Sequence, residues 1–271
     1  MNRMDGKVCV VTGSTQGLGL AIARRLAEAG AAGLVTLGRN EAKGRAAAEA
    51  LARTTGARVH FVPADVGRVE DCRHVTAEAE RIFGEIHVLV NAAALTDRGT
   101  ILNTSPELFD ELFAVNVRGP FFLMQEAIRR MIRDDIAGAI CNIGSMSALA
   151  GQPFISAYCA TKGALATLTS NTAFAVVKNR IRVNQLNVGW MASDHERELQ
   201  AAERGDPDWE AKAVAGLPFG RLIDPNEAAR AVNYLVSDDA GLMTGSVVNY
   251  DQSVWGAAES MPVPSSAMQI A

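Results

Sequence analysis

The stretch Lys7-Val8-Cys9-Val10-Val11-Thr12-Gly13-Ser14-Thr15-Gln16-Gly17-Leu18-Gly19 decides how the chain is read. Its first half is a short apolar run rich in valine and reads as a strand buried on both faces. A helical pattern follows from about residue 17 to 29. Three glycines and no charge lie where the strand turns into the helix. Such a turn is a phosphate cradle. Gly13 permits the tight bend, Gly17 lets backbone approach a pyrophosphate, and Gly19 allows close helix–strand packing. The helix start adds unpaired N–H groups and a partial positive charge. This order of elements at the head of a βαβ series implies a dinucleotide held by Gly13, Ser14, Gln16, Gly17, Leu18 and Gly19.

The rhythm continues outward. Gly33–Gly38, Arg58–Pro63, His87–Asn91, Ala139–Ile143, Ile181–Asn187 and Gly245–Tyr250 read as further strands. Helical stretches fall near 41–54, 68–83, 105–133, 156–178 and 225–237. Alternation of this kind predicts an α/β fold of the Rossmann type: one domain over 1–271, with a doubly wound, seven-stranded parallel sheet and helices on both faces. Ser105-Pro106-Glu107 and Asp224-Pro225-Asn226-Glu227 mark helix starts, and Asp206-Pro207-Asp208 suggests a shorter one. From about 188 to 223 no strand is visible and polar residues are dense, as in a functional lid. The tail Met261–Ala271 reads as irregular.

The 271 residues are 48% hydrophobic and 21% charged with net charge −4, which are globular proportions and exclude a disordered chain. The acidic balance gives no footprint for nucleic acid, and no run is long and apolar enough for a membrane span or a signal peptide. Cys9, Cys72, Cys141 and Cys159 form no C-x-x-C pair and read as reduced thiols of a cytoplasmic protein. The histidines at 60, 74, 87 and 195 show no metal-ligand spacing, so no metal is expected.

A second signal is Tyr158-Cys159-Ala160-Thr161-Lys162 in a helical stretch. Residues i and i+4 share a face, so an ammonium can approach a phenol and favour its ionised form. A tyrosine so tuned can exchange a proton with a carbonyl or alcohol oxygen. Ser145 stands thirteen residues earlier, just beyond a strand end, where parallel sheets place ligands.

Together these residues resemble the short-chain dehydrogenase/reductase family, over roughly Gly6 to Gly256. Thr12–Gly19 matches its T-G-x-x-x-G-x-G loop, and Asp65-Val66 matches the acid that sits by the adenine. Asn91-Ala92-Ala93 matches N-A-G, Asn116 the helix asparagine, and Ser145, Tyr158 and Lys162 the catalytic set. The resemblance implies that Tyr158 is the general acid/base and that Lys162 holds the nicotinamide ribose and depresses the tyrosine pKa. It implies that Ser145 polarises the reacting oxygen and that Asn116 anchors a proton-relay water. Further cofactor contacts are implied for Asn91, Ala92, Gly189, Met191 and Ser193.

Three positions depart from the pattern: Ala93 for glycine, Val188 for the proline before Gly189, and Asp251-Gln252-Ser253 for Asp-Gly-Gly. Loss of the proline is expected to loosen the start of the lid. At the end of the second strand, Gly38 stands where NAD-preferring relatives often carry aspartate, and Arg39 follows. An arginine there accommodates a 2′-phosphate, which favours NADP over NAD.

Polar residues dominate the loops expected to face the substrate: Thr96, Arg98, Ser147, Trp190 and His195 are the candidates. They suit a sugar, polyol or hydroxy acid interconverted between secondary alcohol and ketone. The alternatives are a 3-oxoacyl-carrier-protein reductase, which needs a basic patch such as Arg129, Arg130 and Arg133, and a nucleotide-sensing scaffold. An enoyl reductase is disfavoured because that branch resembles Y-x6-K. Apolar residues on the helices near 105–133 and 156–178 (Phe113, Val117, Phe121, Phe122, Leu123, Leu165, Leu168, Phe174 and Val177) exceed what one sheet face can cover. With the family's usual assembly, they imply a homotetramer.

Overall fold

The computed structural model describes residues 3–149, 151–205, 208–256 and 268, with the side chains of 194, 195, 203 and 204 outside that set. The apolar runs form seven strands: β1 (Val8–Val11), β2 (Gly33–Gly38), β3 (Val59–Pro63), β4 (Val88–Asn91), β5 (Ala139–Ser145), β6 (Arg182–Val188) and β7 (Val247–Tyr250). All neighbours pair in parallel, in the order β3-β2-β1-β4-β5-β6-β7. The order reverses between β1 and β4, which opens a crevice at the C-terminal strand ends.

Burial explains why the strands read as continuous apolar runs. Cys9, Val11, Val88, Val90, Cys141 and Ile143 join one buried cluster, which takes in α1 (Gly17–Glu28) and α9 (Pro225–Val236). Val10, Val35, Leu37, Leu89 and Ile140 join the other, with α3 (Val69–Phe83), α5 (Gly119–Arg133) and α6 (Ser156–Val176). Successive residues thus go to opposite faces and both faces are covered. All four cysteines are unpaired, and burial pushes the Cys9 and Cys141 thiols up to about 12. Among the described residues no helix is long and apolar enough to cross a membrane, and no cluster of three or more His, Cys, Asp or Glu side chains could hold a metal ion.

The helix starts follow their caps. Asn40 accepts the Lys43 N–H at 2.9 Å to open α2 (Glu41–Thr55), and Asp224 accepts the Asn226 N–H at 2.8 Å before Pro225. Ser105 caps α4 (Pro106–Phe113) by accepting the Leu108 N–H at 3.2 Å.

Three features differ from the sequence expectation. The helix expected over 105–133 is interrupted by a π turn, Ala114–Arg118, which carries Asn116. Pro120, four residues on, has no N–H to give the Asn116 carbonyl its α-helical bond, so the ladder shifts there. The stretch after β6, where the sequence suggests one short helix, holds two: α7 (Asp194–Arg204) and α8 (Trp209–Ala215). Its base is pinched by Ala192 N–H to Ile223 O (2.9 Å) and Ile223 N–H to Trp190 O (3.0 Å). The start expected at Asp206-Pro207-Asp208 falls just before α8, but Asp206 and Pro207 lie outside the described residues, as does the tail apart from Met268. Finally, Val188 continues β6 and pairs with both Ser145 and Tyr250. The strand is extended rather than loosened, because valine suits a ladder that proline would interrupt.

Of the surplus apolar positions on α4 to α6, Leu123 and Leu165 are buried in this chain's own interior. Phe121, Phe174 and Val177 remain exposed.

Candidate active site

The glycine turn closes tightly on α1. A Cβ at Gly19 would lie 2.3 Å from the Gly13 carbonyl oxygen, and Gly17 has φ of +52°. Gln16 is extended and gives α1 no side-chain cap, so the first N–H groups of that helix stay without a capping side chain. Ser14 Oγ donates to Val11 O (2.7 Å) and accepts the Leu37 N–H (3.0 Å), which ties the turn to β2. Thr12 Oγ1 accepts the N–H groups of Ala92 and Ala93 at 2.9 and 2.8 Å. The Ala93 methyl fits because it packs against Gly13, where a side chain would come within 2.8 Å of Ala93 Cα.

Other positions at the same end are already braced. Asp65 Oδ1 accepts the Gly67 N–H at 2.9 Å, and Val66 O lies against Gly119, where a Cβ would come within 2.5 Å. Asn91 donates to Asn142 Oδ1 at 2.8 Å, while its own buried Oδ1 has no hydrogen-bond partner among the described residues. A glycine cradle, an uncapped helix start and an orphaned buried acceptor fit the pyrophosphate and ribose of a dinucleotide. Leu18 packs its side chain on the buried cluster beneath. Arg39 is exposed beyond β2, and Lys43 Nζ donates to Gln16 Oε1 beside the turn. A side chain at Gly38 would meet Thr15 Cγ2 at 2.6 Å, so an aspartate there requires Thr15 to move.

The proton-transfer candidates sit one strand over. Ser145 ends β5, and Tyr158 and Lys162 lie one turn apart on buried positions of α6. Lys162 Nζ donates to Ile143 O at 2.9 Å and lies 5.6 Å from the Tyr158 ring centroid. Burial lowers its ammonium to about 8. The Tyr158 phenol is pushed up to about 12, first by burial, with a hydrogen bond to Ser145 opposing and the charges of Cys159 and Glu196 adding. In the free chain, loss of water is the largest influence on both groups, raising the phenol and lowering the ammonium. Asn116 spends its amide as a brace, accepting the Leu95 N–H (2.9 Å) and donating to Leu95 O (2.9 Å) and Thr161 Oγ1 (3.2 Å).

Ser145 and Tyr158 open onto a cavity of about 590 Å³. Thr96, Arg98, Ser147, Gly189, Trp190, Met191 and Ser193 line it as well. Ser147 N–H donates to Ser145 Oγ (3.1 Å), and Ser147 Oγ bonds to Gln152. Ser193 caps α7 through the Glu196 N–H (3.1 Å), and its Cβ faces Gly17 at 3.9 Å from where a side chain there would start. Of the substrate candidates named from the sequence, His195 alone cannot be followed, since its side chain lies outside the described residues.

Sequence reasoning missed part of the lining: Gln152, Phe154, Leu199, Leu217, Asp251, Ser253 and Trp255. They come from three stretches far apart in the chain, around 152–154, 199–217 and 251–255. One signal was available in Asp251-Gln252-Ser253. Gln252 Oε1 accepts the Phe219 N–H (2.9 Å) and Nε2 donates to Arg221 O (2.8 Å), so its amide fastens the end of the α7–α8 segment beside β7. Glycine could not do this.

A family model described as enoyl-(acyl carrier protein) reductase matches residues 13–253. The 2-(S)-hydroxypropyl-CoM dehydrogenase 3 of Xanthobacter autotrophicus is 33% identical, with 92% of this chain and 97% of that protein covered. The sorbitol dehydrogenase of Cereibacter sphaeroides is 31% identical, covering 93% and 99% respectively. Among solved structures, the L-sorbose reductase of Gluconobacter frateurii, complexed with NADPH and L-sorbose, superposes with a TM-score of 0.90 at 28% identity, over 95% of this chain and all (100%) of that one.

Proposed function

The chain belongs to the short-chain dehydrogenase/reductase family, and from that premise we propose that it interconverts a secondary alcohol and a ketone on a sugar or polyol, with a nicotinamide dinucleotide as hydride carrier. The observation that carries this reading is the convergence of the Ser145 and Tyr158 side chains on one cavity at the C-terminal strand ends, with Lys162 buried behind them. The sorbitol dehydrogenase and L-sorbose reductase likenesses support the substrate class.

The cofactor, when bound, supplies or accepts the hydride. The protein's own residues do the rest. The glycine turn, the start of α1, Asn91, Asp65 and the Gly189–Ser193 stretch hold and orient the dinucleotide. Ser145, fixed by Ser147, binds the reacting oxygen. Tyr158 gives that oxygen a proton in reduction and takes it in oxidation. Lys162 places a cation beneath the phenol, and a relay through Asn116 uses its backbone carbonyl, since the amide is committed to Leu95 and Thr161. The segment 188–223 serves as a lid over the substrate.

NADP is the preferred cofactor in this reading. Arg39 at the end of β2, Lys43 beside Gln16 and the crowding of Gly38 by Thr15 support it. Fluorescence titration should show NADPH bound more tightly than NADH, and Arg39→Ala should weaken NADPH about tenfold with little effect on NADH. Equal or tighter binding of NADH by the wild type would overturn the preference.

The carrier-protein alternative loses its support. Arg129, Arg130 and Arg133 pair with Glu126, Glu80 and Asp134, so no basic patch remains there. The Y-x3-K spacing of Tyr158 and Lys162 favours alcohol–ketone chemistry over an enoyl reductase, a branch that resembles Y-x6-K. A scaffold reading has no observation in its favour, since the catalytic set is complete.

A homotetramer in a reducing cytoplasm completes the proposal. The exposed Phe121 and Phe174 and the groove bordered by Phe113, Val117, Phe122 and Leu168 support the assembly. Light scattering at micromolar concentration should give about four times the monomer mass, and a monomer would refute it. An assay panel of sugars, polyols, hydroxy acids, steroids and 3-oxoacyl thioesters, followed by NAD(P)H absorbance, tests the function itself. Activity confined to steroids or thioesters would overturn it.

A further inference from the structure

Resting on the polyol reading above, we infer that Glu196 and Asp251 make the cavity select by charge, taking neutral polyhydroxylated substrates and turning away those that carry a carboxylate, sulfonate or phosphate. Both acids line the cavity that Ser145 and Tyr158 open onto. Among the described residues lining it, the one cation is Arg98, whose guanidinium lies 5.1 Å over the Phe154 ring. Lys162 is not part of the lining; it is buried behind Tyr158.

Glu196 is held in place. Its Oε1 accepts from Trp190 Nε1 and from Gln200 Nε2, each at 2.8 Å. Trp190 in turn stacks on the buried Trp209, with ring centroids 5.9 Å apart. The carboxylate is therefore part of a packed cluster and is presented to the cavity in one orientation. Its charge is felt at the reacting centre, where it adds to the proton affinity of Tyr158. Asp251 is fixed by the Ser253 N–H (3.2 Å) and the Ser253 hydroxyl, and its Oδ1 fills the space that a side chain at Gly189 would take.

Ionised carboxylates only accept hydrogen bonds. A polyol brings hydroxyl donors to both and satisfies them. A substrate with its own anionic group meets two like charges, a repulsion that acts as built-in discrimination. Hydrogen bonding alone would not separate an alcohol from the matching sugar acid, because the two share nearly all their hydroxyls.

The test uses the full-length protein with its cofactor and matched pairs: sorbitol against gluconate, and xylitol against xylonate. The wild type should favour the neutral member in kcat/KM by at least about tenfold, and Glu196→Gln should narrow that ratio several-fold. This variant keeps an oxygen acceptor for Trp190 and Gln200 while removing the charge, and Asp251→Asn should act in the same direction. Structural damage would lower both members of a pair together and leave the ratio unmoved. Equal or better use of the acids by the wild type, or a ratio that neither variant shifts, would overturn the inference. Turnover of neither member would count against the polyol reading itself. Charge selection would then be read from calorimetric binding of the same pairs, where an acid that binds as tightly as its alcohol, or binding of neither, overturns it.

Discussion

Replacing Tyr158 by phenylalanine is expected to lower kcat by about a thousandfold, the scale of a positioned general acid or base, while cofactor affinity stays close to that of the wild type. The ring is packed in the cluster with Leu112 and Ala157, and phenylalanine keeps that packing. What is lost is the proton. The same group sets the pH dependence. Burial raises the phenol to about 12 in the free chain, above its ordinary value near 10. It therefore keeps its proton throughout the neutral range and stands ready as an acid toward a ketone. Oxidation of the alcohol needs the deprotonated form, so its rate should climb with pH across the alkaline range, whereas reduction should be flat and then fall. Stopped-flow and steady-state rates in both directions would show this. Wild-type kcat in Tyr158→Phe on any accepted substrate would remove the tyrosine from the mechanism.

Lys162→Met is expected to separate function from stability. Turnover should drop by about a hundredfold or more, and nicotinamide binding should weaken with it, because one side chain serves both. Stability should move the other way at neutral pH. Lys162 is 2% exposed, and burial lowers its ammonium to about 8 from an ordinary value near 10.5. A cation whose pKa is depressed by folding makes the folded state costly below the folded value, and that cost fades as pH rises toward the unfolded value. The single bond to Ile143 O offsets part of it. Thermal melts of the apo protein should thus find the variant at least as stable as the wild type at pH 7. The wild type should gain on it between about pH 8 and 10.5. A wild type several degrees more stable at pH 7 would contradict the claim that this lysine is held at an energetic cost for the sake of chemistry.

The two groups illustrate how far a sequence carries. That Tyr158 and Lys162 share a helix face follows from their spacing of four. Their protonation does not, because it depends on how much water the surrounding helices and strands exclude. The resemblance makes the phenol a depressed acid, whereas in the folded free chain its desolvation is the larger effect.

The π turn is a similar case. Pro120 in the chain already signals that the Asn116 carbonyl loses its helical partner, yet the pattern over 105–133 still reads as one helix. Helix α7 is hard to see in the chain because few large apolar residues mark its period.

What the sequence determined by itself are properties of short range. Strand and helix periods, the glycine turn after β1, the caps at Ser105 and Asp224, and the tyrosine–lysine pair all follow from residues within a few positions of one another. They are legible because backbone geometry imposes those spacings wherever the segment lies. The tertiary structure decided which residues join the sequence candidates Thr96, Arg98, Ser147 and Trp190 in lining the cavity. Arg98, Gln152, Glu196 and Asp251 come from four separate stretches of the chain, and the parallel crossovers deliver all of them to the same end of the sheet. No local pattern records that meeting, since each residue's exposure and charge environment are set by elements tens of residues away. The charge selection inferred for this cavity therefore rests on the fold rather than on any motif.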